Sequence, residues 1–368
     1  MSGTTTTGLL PEGFHDRLPP HADTAAAMER RVLDVARLYG YERVDPPLAE
    51  FEESLGARLK AASAKDAVRF TDPASRRTLA IRPDITAQIG RIAATRMAHH
   101  PRPVRLSYAG TVLKLRASEL RPERAMRQIG FELIGRDSVA AAREIVSVAV
   151  EALEQAGVTG LALDFTLPDL VEQLAPGMAP EQLAALRDRL DAKDAAGVAA
   201  IDPDFLPLIE AAGPFDAAVA RLHAHDKGGA LATRLDGLAA VAEAVSGKVA
   251  LTLDPTERHG FEYQSWIGFS LFARGVRGEI GRGGSYSVIG AQGDEPAVGV
   301  SLFVDPILDA GLTSDARRRL FLPVGTDAAL AARLRAEGWV AVAALDADDS
   351  AVAQLCTHAL VDGTPVAV

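Results

Sequence analysis

Residues 126–134 read Met126-Arg127-Gln128-Ile129-Gly130-Phe131-Glu132-Leu133-Ile134. Side chains of an extended strand alternate between its two faces. One face therefore carries Gln128, Gly130 and Glu132, and the other carries Ile129, Phe131 and Leu133. An amide and a carboxylate flanking a glycine make a polar floor. That floor suits either a solvent-facing edge or a ligand lying close to the backbone, and the glycine favours the ligand.

Outward from this strand, the sequence predicts further short strands over 77–81, 104–108 and 111–116, and a helix over 84–97. Their spacing suits antiparallel strands with interspersed helices rather than a regular βαβ array. Upstream, Met28, Val32, Val35 and Tyr39 recur at helical spacing, and Gly40 stands where a C-terminal cap belongs. Downstream, Ile145, Val148, Ala149, Ala152 and Leu153 mark another helix, ending near Gly157. Residues 168–246 are rich in Ala and Leu with a charged opposite face, which predicts a mostly helical insertion. Strand returns at 249–253, and the apolar stretch 297–308 reads as a buried helix or a strand–helix junction. Residues 317–368 predict a small C-terminal α/β unit after a core of residues 1–316. Its expected strands are 320–324, 339–345 and 357–361, with a helix at 327–337 that Thr326-Asp327 can cap. The expected class is α+β, with six or seven mainly antiparallel strands.

The 368 residues are 48% hydrophobic and 24% charged, enough for a sizeable core without staples. A net charge of -10 disfavours nucleic-acid binding. No apolar run reaches the length of a membrane span, and the first residues lack the pattern of a secretory signal. The single Cys356 fits a reducing compartment, so a cytoplasmic location is expected.

A second polar constellation is Arg82-Pro83-Asp84-Ile85-Thr86, a strand end running into a helix start. Asp84 and Thr86 suit capping of free backbone N–H groups, or a pocket wall where Asp84 meets an ammonium. A third pairs Arg258-His259-Gly260-Phe261-Glu262-Tyr263 with Gly281-Arg282-Gly283-Gly284-Ser285-Tyr286. By itself the latter reads as a hairpin with flexible turns. It lacks the strand–GxGxxG–helix arrangement of a dinucleotide site, and no phosphate-binding P-loop is present. His99-His100 and His223/His225 have no companion ligands, so neither metal nor cofactor is expected. No nucleophile elbow is visible.

In their order and spacing these blocks resemble histidyl-tRNA synthetase from about residue 9 to residue 308. Pro11-Glu12-Gly13-Phe14-His15-Asp16 looks like the family's PxGxxD start, and Arg82 to Thr86 like its RPExT. Residues 108–132 look like the motif 2 hairpin, and 259–263 like the histidine-recognition block. Residues 283–286 look like GGGRYD, and Ala297-Val298-Gly299 like the opening of motif 3. Two departures stand out. Leu113-Lys114-Leu115-Arg116 replaces FRxE, with Lys114 in the arginine slot if the hairpin is one residue longer, or Leu113 without a gap. Val304-Asp305-Pro306 stands where motif 3 ends in an ATP-binding arginine. Lysine keeps charge but lacks the bidentate fork, and such donors are each worth about 10²–10³ in rate.

The resemblance thus implies a kept amino-acid site and a lost nucleotide site, the character of the regulatory subunits of ATP phosphoribosyltransferase. It implies a non-catalytic chain that forms dimers and joins a short-form catalytic subunit in a hetero-octamer. That chain would convey feedback by L-histidine in the first step of histidine biosynthesis, without tRNA or cofactor. The implied histidine-binding residues are Asp84, Thr86, Lys114, Gln128, Glu132, Arg258, His259 and Tyr263. Asp84 would meet the ammonium, Glu132 the imidazole or ammonium, and Lys114 or Arg258 the carboxylate. A divergent active synthetase and a free-standing histidine sensor are the alternatives.

Overall fold

A computed structural model describes residues 9–56, 67–116, 122–258, 264–290, 293–311 and 318–368. The chain divides into two compact units, Met1–Thr313 and Ser314–Val368. None of the described helices is long and apolar enough to cross a membrane.

The larger unit is built on a nine-stranded sheet. Its strands run, edge to edge, Glu42–Arg43, Val104–Leu113, Ala125–Ile134, Glu295–Phe303, Gly281–Val288, Gln264–Ala273, Leu161–Thr166, Ala250–Leu253 and Gly213–Pro214. Two neighbouring pairs are parallel, Glu42–Arg43 with Val104–Leu113 and Leu161–Thr166 with Ala250–Leu253; the others are antiparallel. The α+β class with a mainly antiparallel sheet is as expected. The strand count exceeds the expected six or seven because two two-residue strands, Glu42–Arg43 and Gly213–Pro214, add an edge on each side.

The sheet has an apolar cluster on each face. Ile129, Phe131 and Leu133 belong to the larger one, together with helices His21–Leu38 and Val139–Gln155. Val139–Gln155 is buried around most of its girth, and Ser138 caps it by accepting from Ala141 N at 3.2 Å. On the opposite face, Leu106, Tyr108, Met126 and Ile134 pack against Ile85, Ile89 and Ala93 around helix Thr86–Thr95. Residues 168–246 are helical as expected, apart from the two-residue edge strand. They connect the parallel neighbours Leu161–Thr166 and Ala250–Leu253, and Leu186, Leu208 and Leu222 join the larger cluster. A parallel pair needs a long crossover, and this region supplies it.

Two expectations change. The strands anticipated at 104–108 and 111–116 are one strand, Val104–Leu113. Gly110 is no break: a Cβ there would overlap the Arg82 guanidinium, which occupies that space. Strand Thr78–Ile81 lies outside the main sheet, between Ala49–Phe51 and Val68–Thr71 in a separate three-stranded sheet.

The smaller unit holds a four-stranded sheet in the order Val340–Ala343, Arg319–Leu322, His358–Val361, Thr364–Ala367. The first three run parallel and the last is antiparallel. Helix Ala328–Ala336 covers one face through Leu334 and Ala331, and Asp327 caps it at Leu330 N, 2.9 Å.

Candidate functional site

The strand register builds the site. Glu132 lies opposite Gly299, Gly299 opposite Gly284, and Gly284 opposite Gly268. Residues directly paired across strands share a face, so three consecutive strands present no side chain beside Glu132. Thr166 ends this row opposite Gly268, and its buried hydroxyl has no hydrogen-bond partner. The row lies on the face that also carries Gln128, beneath the start of helix Thr86–Thr95.

At one end of the row stands a closed hydrogen-bond cluster. Gln128 is fully buried; its Oε1 accepts from Ile85 N at 3.0 Å, and its Nε2 donates to Asp84 Oδ2 at 2.9 Å and Ser301 Oγ at 2.8 Å. Asp84 Oδ1 accepts from Thr86 N at 2.7 Å, so the expected capping role is present. The same carboxylate also faces Gln128, so capping and pocket wall are combined. Tyr108 donates to Glu132 Oε1 at 3.1 Å and shares hydrogen bonds with Thr86 Oγ1 at 3.1 Å and Ser301 Oγ at 3.2 Å. Tyr286 donates to Glu132 Oε2 at 2.6 Å.

Glu132 is 1% exposed, and burial pushes its carboxyl up from 4.5 to about 8, against the opposing pull of the two phenol hydroxyls. A cationic ligand group at Glu132 would offset that desolvation and expel the proton. The sign for stability follows. A carboxyl whose folded value is raised contributes stability that is full below about 4.5 and lost as pH rises through about 8. The loss runs at up to about 1.4 kcal/mol per pH unit. In urea denaturation between pH 5 and 9, Glu132→Gln is expected to remove this decline, so its midpoint gains on the wild type as pH rises.

Gly130 does not open space for a ligand as expected. Tyr108 lies opposite Gly130, and a Cβ on Gly130 would overlap the Tyr108 ring. The glycine lets the phenol lie across the strand and reach Glu132. Gly299 has a similar role, since a Cβ there would overlap the Glu132 carboxylate and sit 3.0 Å from Phe131 O. Gly299→Ala is expected to cost about 1–3 kcal/mol by overpacking and to displace Glu132, read as a lowered thermal midpoint.

The segment anticipated as a flexible hairpin, Gly281 to Tyr286, is an interior strand. Gly283 packs where a Cβ would overlap Gly299 O and the Phe269 ring. Ser285 Oγ accepts from Trp266 N at 3.1 Å and Ile267 N at 3.3 Å, beside the irregularity between Gln264 and Gly268.

The structure brings Asp84, Thr86, Gln128 and Glu132 together. Lys114 lies elsewhere, at the end of its strand in a cleft of about 680 Å³. Pro306, Arg277 and Arg282 share that cleft with Glu123, Glu257, Glu279 and Asp309. Arg258 also stands apart from the cluster. Its N–H donates to Asp191 at 2.9 Å, and its guanidinium pairs with Asp188 at 3.0 Å on helix Pro180–Asp191. His259 and Tyr263 lie outside the described residues. Tyr108, Tyr286, Ser301 and Thr166 were not anticipated as site residues. Their signal is pairwise register over as many as 193 residues of chain, which a single sequence does not display.

The mainly antiparallel sheet thus carries a buried polar cluster at a helix start. The family model described as histidyl-tRNA synthetase matches residues 13–307. The structure is similar to the crystal structure of an ATP phosphoribosyltransferase regulatory subunit/histidyl-tRNA synthetase from Bacillus halodurans. The TM-score is 0.79 at 22% identity, covering 96% of this chain and 97% of that one. It is also similar to histidyl-tRNA synthetase from Nostoc, with a TM-score of 0.78 at 14% identity over 97% of this chain and 91% of that one. The ATP phosphoribosyltransferase regulatory subunit of Paramagnetospirillum magneticum is 42% identical over 98% of each chain. That of Rhodospirillum centenum is 45% identical over 95% of this chain and 94% of its own. The chain belongs to the ATP phosphoribosyltransferase regulatory-subunit family, whose fold is that of histidyl-tRNA synthetase.

Proposed function

We propose that this chain is a non-catalytic regulatory subunit that activates a short-form ATP phosphoribosyltransferase and conveys feedback inhibition by L-histidine. The observation that carries this reading is the division of the site. Four of the expected histidine-binding residues, Asp84, Thr86, Gln128 and Glu132, form one hydrogen-bonded polar cluster. The cleft holding Lys114 and Pro306 is lined by four carboxylates. Adenylation requires cations preorganised at the phosphates, and the three cations of this cleft, Lys114, Arg277 and Arg282, are offset by those carboxylates, Arg282 being paired with Glu279. Near-full-length similarity to regulatory subunits supports the same conclusion.

Histidine acts here by linkage: it binds one quaternary state better than another and shifts the equilibrium by that difference. Asp84 takes the ammonium, Glu132 the imidazole or ammonium, and Gln128 and Thr86 position both carboxylates. By the resemblance Tyr263 and His259 are further histidine ligands, and Lys114 or Arg258 takes the carboxylate, although Lys114 lines a separate cleft and would have to reach the cluster. Arg258, engaged by Asp188, would first have to leave that partner. Dimers of this chain assemble with the catalytic subunit in a hetero-octamer, and tRNA is not a ligand. ATP–pyrophosphate exchange is the direct test against an active synthetase. Purified protein with histidine is expected to show no exchange above background, and robust exchange would overturn the reading.

A further inference from the structure

The smaller unit has a surface that the histidine site does not use. Its strands Val340–Ala343, Arg319–Leu322 and His358–Val361 are parallel neighbours, so their C-terminal ends lie side by side at about 5 Å per strand. In open α/β sheets that end carries the ligand crevice. Val324, Leu345 and Val361 stand there, 59%, 90% and 50% exposed. Of the sixteen large apolar side chains exposed among the described residues, eight lie in residues 318–368. Three of them, Val324, Leu345 and Val361, follow or end neighbouring strands at the same end of the sheet, so they are grouped rather than scattered singly. The segment carrying Leu345 is also ordered: Asp349 accepts from Leu345 N at 2.7 Å and Asp346 N at 3.3 Å.

Exposed carboxylates adjoin two of these apolar side chains along the chain. Asp346 and Asp348 follow Leu345, and Asp362 follows Val361. An apolar centre with a charged rim is the anatomy of a protein interface. We propose that this strand-end surface docks a protein partner whose own surface is basic around an apolar centre. Charge selects that occupant. The whole chain carries a net charge of -10, and a second copy would bring the same aspartates against these. The same carboxylates disfavour nucleic acid. The partner is the catalytic subunit if the proposed function holds, and the inference rests on that reading.

The test uses the full chain and a short-form catalytic subunit, with association measured by sedimentation at low and high salt. Val324→Glu/Leu345→Glu changes only exposed side chains, so folding should be kept, and circular dichroism checks it. The double variant is expected to bind at least about tenfold more weakly, the least that loss of a central apolar anchor costs. Asp348→Lys is expected to weaken binding and flatten its salt dependence. Equal affinity of wild type and both variants would overturn the docking face while leaving the regulatory reading in place. Absence of any wild-type association would overturn both. A double variant that alters only the chain's self-association would overturn the proposal in favour of contact between copies.

Discussion

Glu132→Gln is expected to weaken L-histidine binding at least about 30-fold, because removing one partner of a buried, hydrogen-bonded charge pair costs 2 kcal/mol or more. The carboxylate is walled in by Tyr108 and Tyr286, whose hydroxyls donate to its two oxygens. Water cannot replace it as the counter-charge of an ammonium or imidazolium. Glutamine preserves the shape over Gly299 and can still accept from one phenol, so the fold should persist. Titration calorimetry on wild type and variant measures the difference. Binding by the wild type should release a proton near neutral pH, since burial holds the Glu132 carboxyl up at about 8 and a bound cation draws it down. The glutamine variant should release none through this group. Unchanged affinity in the variant would move the ligand's cationic group away from Glu132.

Arg82→Met is expected to lower stability by about 3 kcal/mol, the combined worth of two buried hydrogen bonds from a charged donor. Arg82 is 5% exposed, donating from Nε to Thr111 O at 2.9 Å and from Nη1 to Pro46 O at 2.8 Å. Its backbone also joins Leu48 and Leu113, so one residue ties the three-stranded sheet to the long strand of the main sheet. Desolvation lowers the guanidinium's pKa, and relief of that cost is the only compensation methionine offers. Lysine should rescue poorly, because a single ammonium lacks the planar fork that meets both carbonyls. Urea midpoints of the three proteins test this, and a methionine variant as stable as wild type would contradict it.

Much of this was legible in the sequence, and the failures have physical causes. Alternation placed Gln128 and Glu132 on one face, and helical spacing found His21–Leu38, because local period dictates both. The start of helix Thr86–Thr95 was readable from Arg82-Pro83-Asp84. What could not be read was which distant residue fills each glycine's space. Gly130 suggested room for a ligand, yet Tyr108 lies over it; a gap was expected between 104–108 and 111–116, yet the strand is continuous there and Gly110 accommodates Arg82. Strands Ala49–Phe51 and Val68–Thr71 escaped notice because they are short and lack a buried alternating face. Strand Thr364–Ala367 was missed although Asp362 and Gly363, at φ 49° and 75°, form the kind of turn that signals a hairpin. Tyr286 and Ser301 reach Glu132 and Tyr108 only through sheet register.

The central claim is that this chain regulates another enzyme through a histidine site. Its most direct test is the rate of ATP-dependent phosphoribosyl transfer by a short-form catalytic subunit, measured alone, with this chain, and with this chain plus L-histidine. Activation by the chain is predicted, with reversal by L-histidine that Glu132→Gln abolishes while leaving activation intact. A catalytic rate indifferent to the chain, or inhibition by histidine that the Glu132→Gln chain conveys as well as the wild type, would contradict the account.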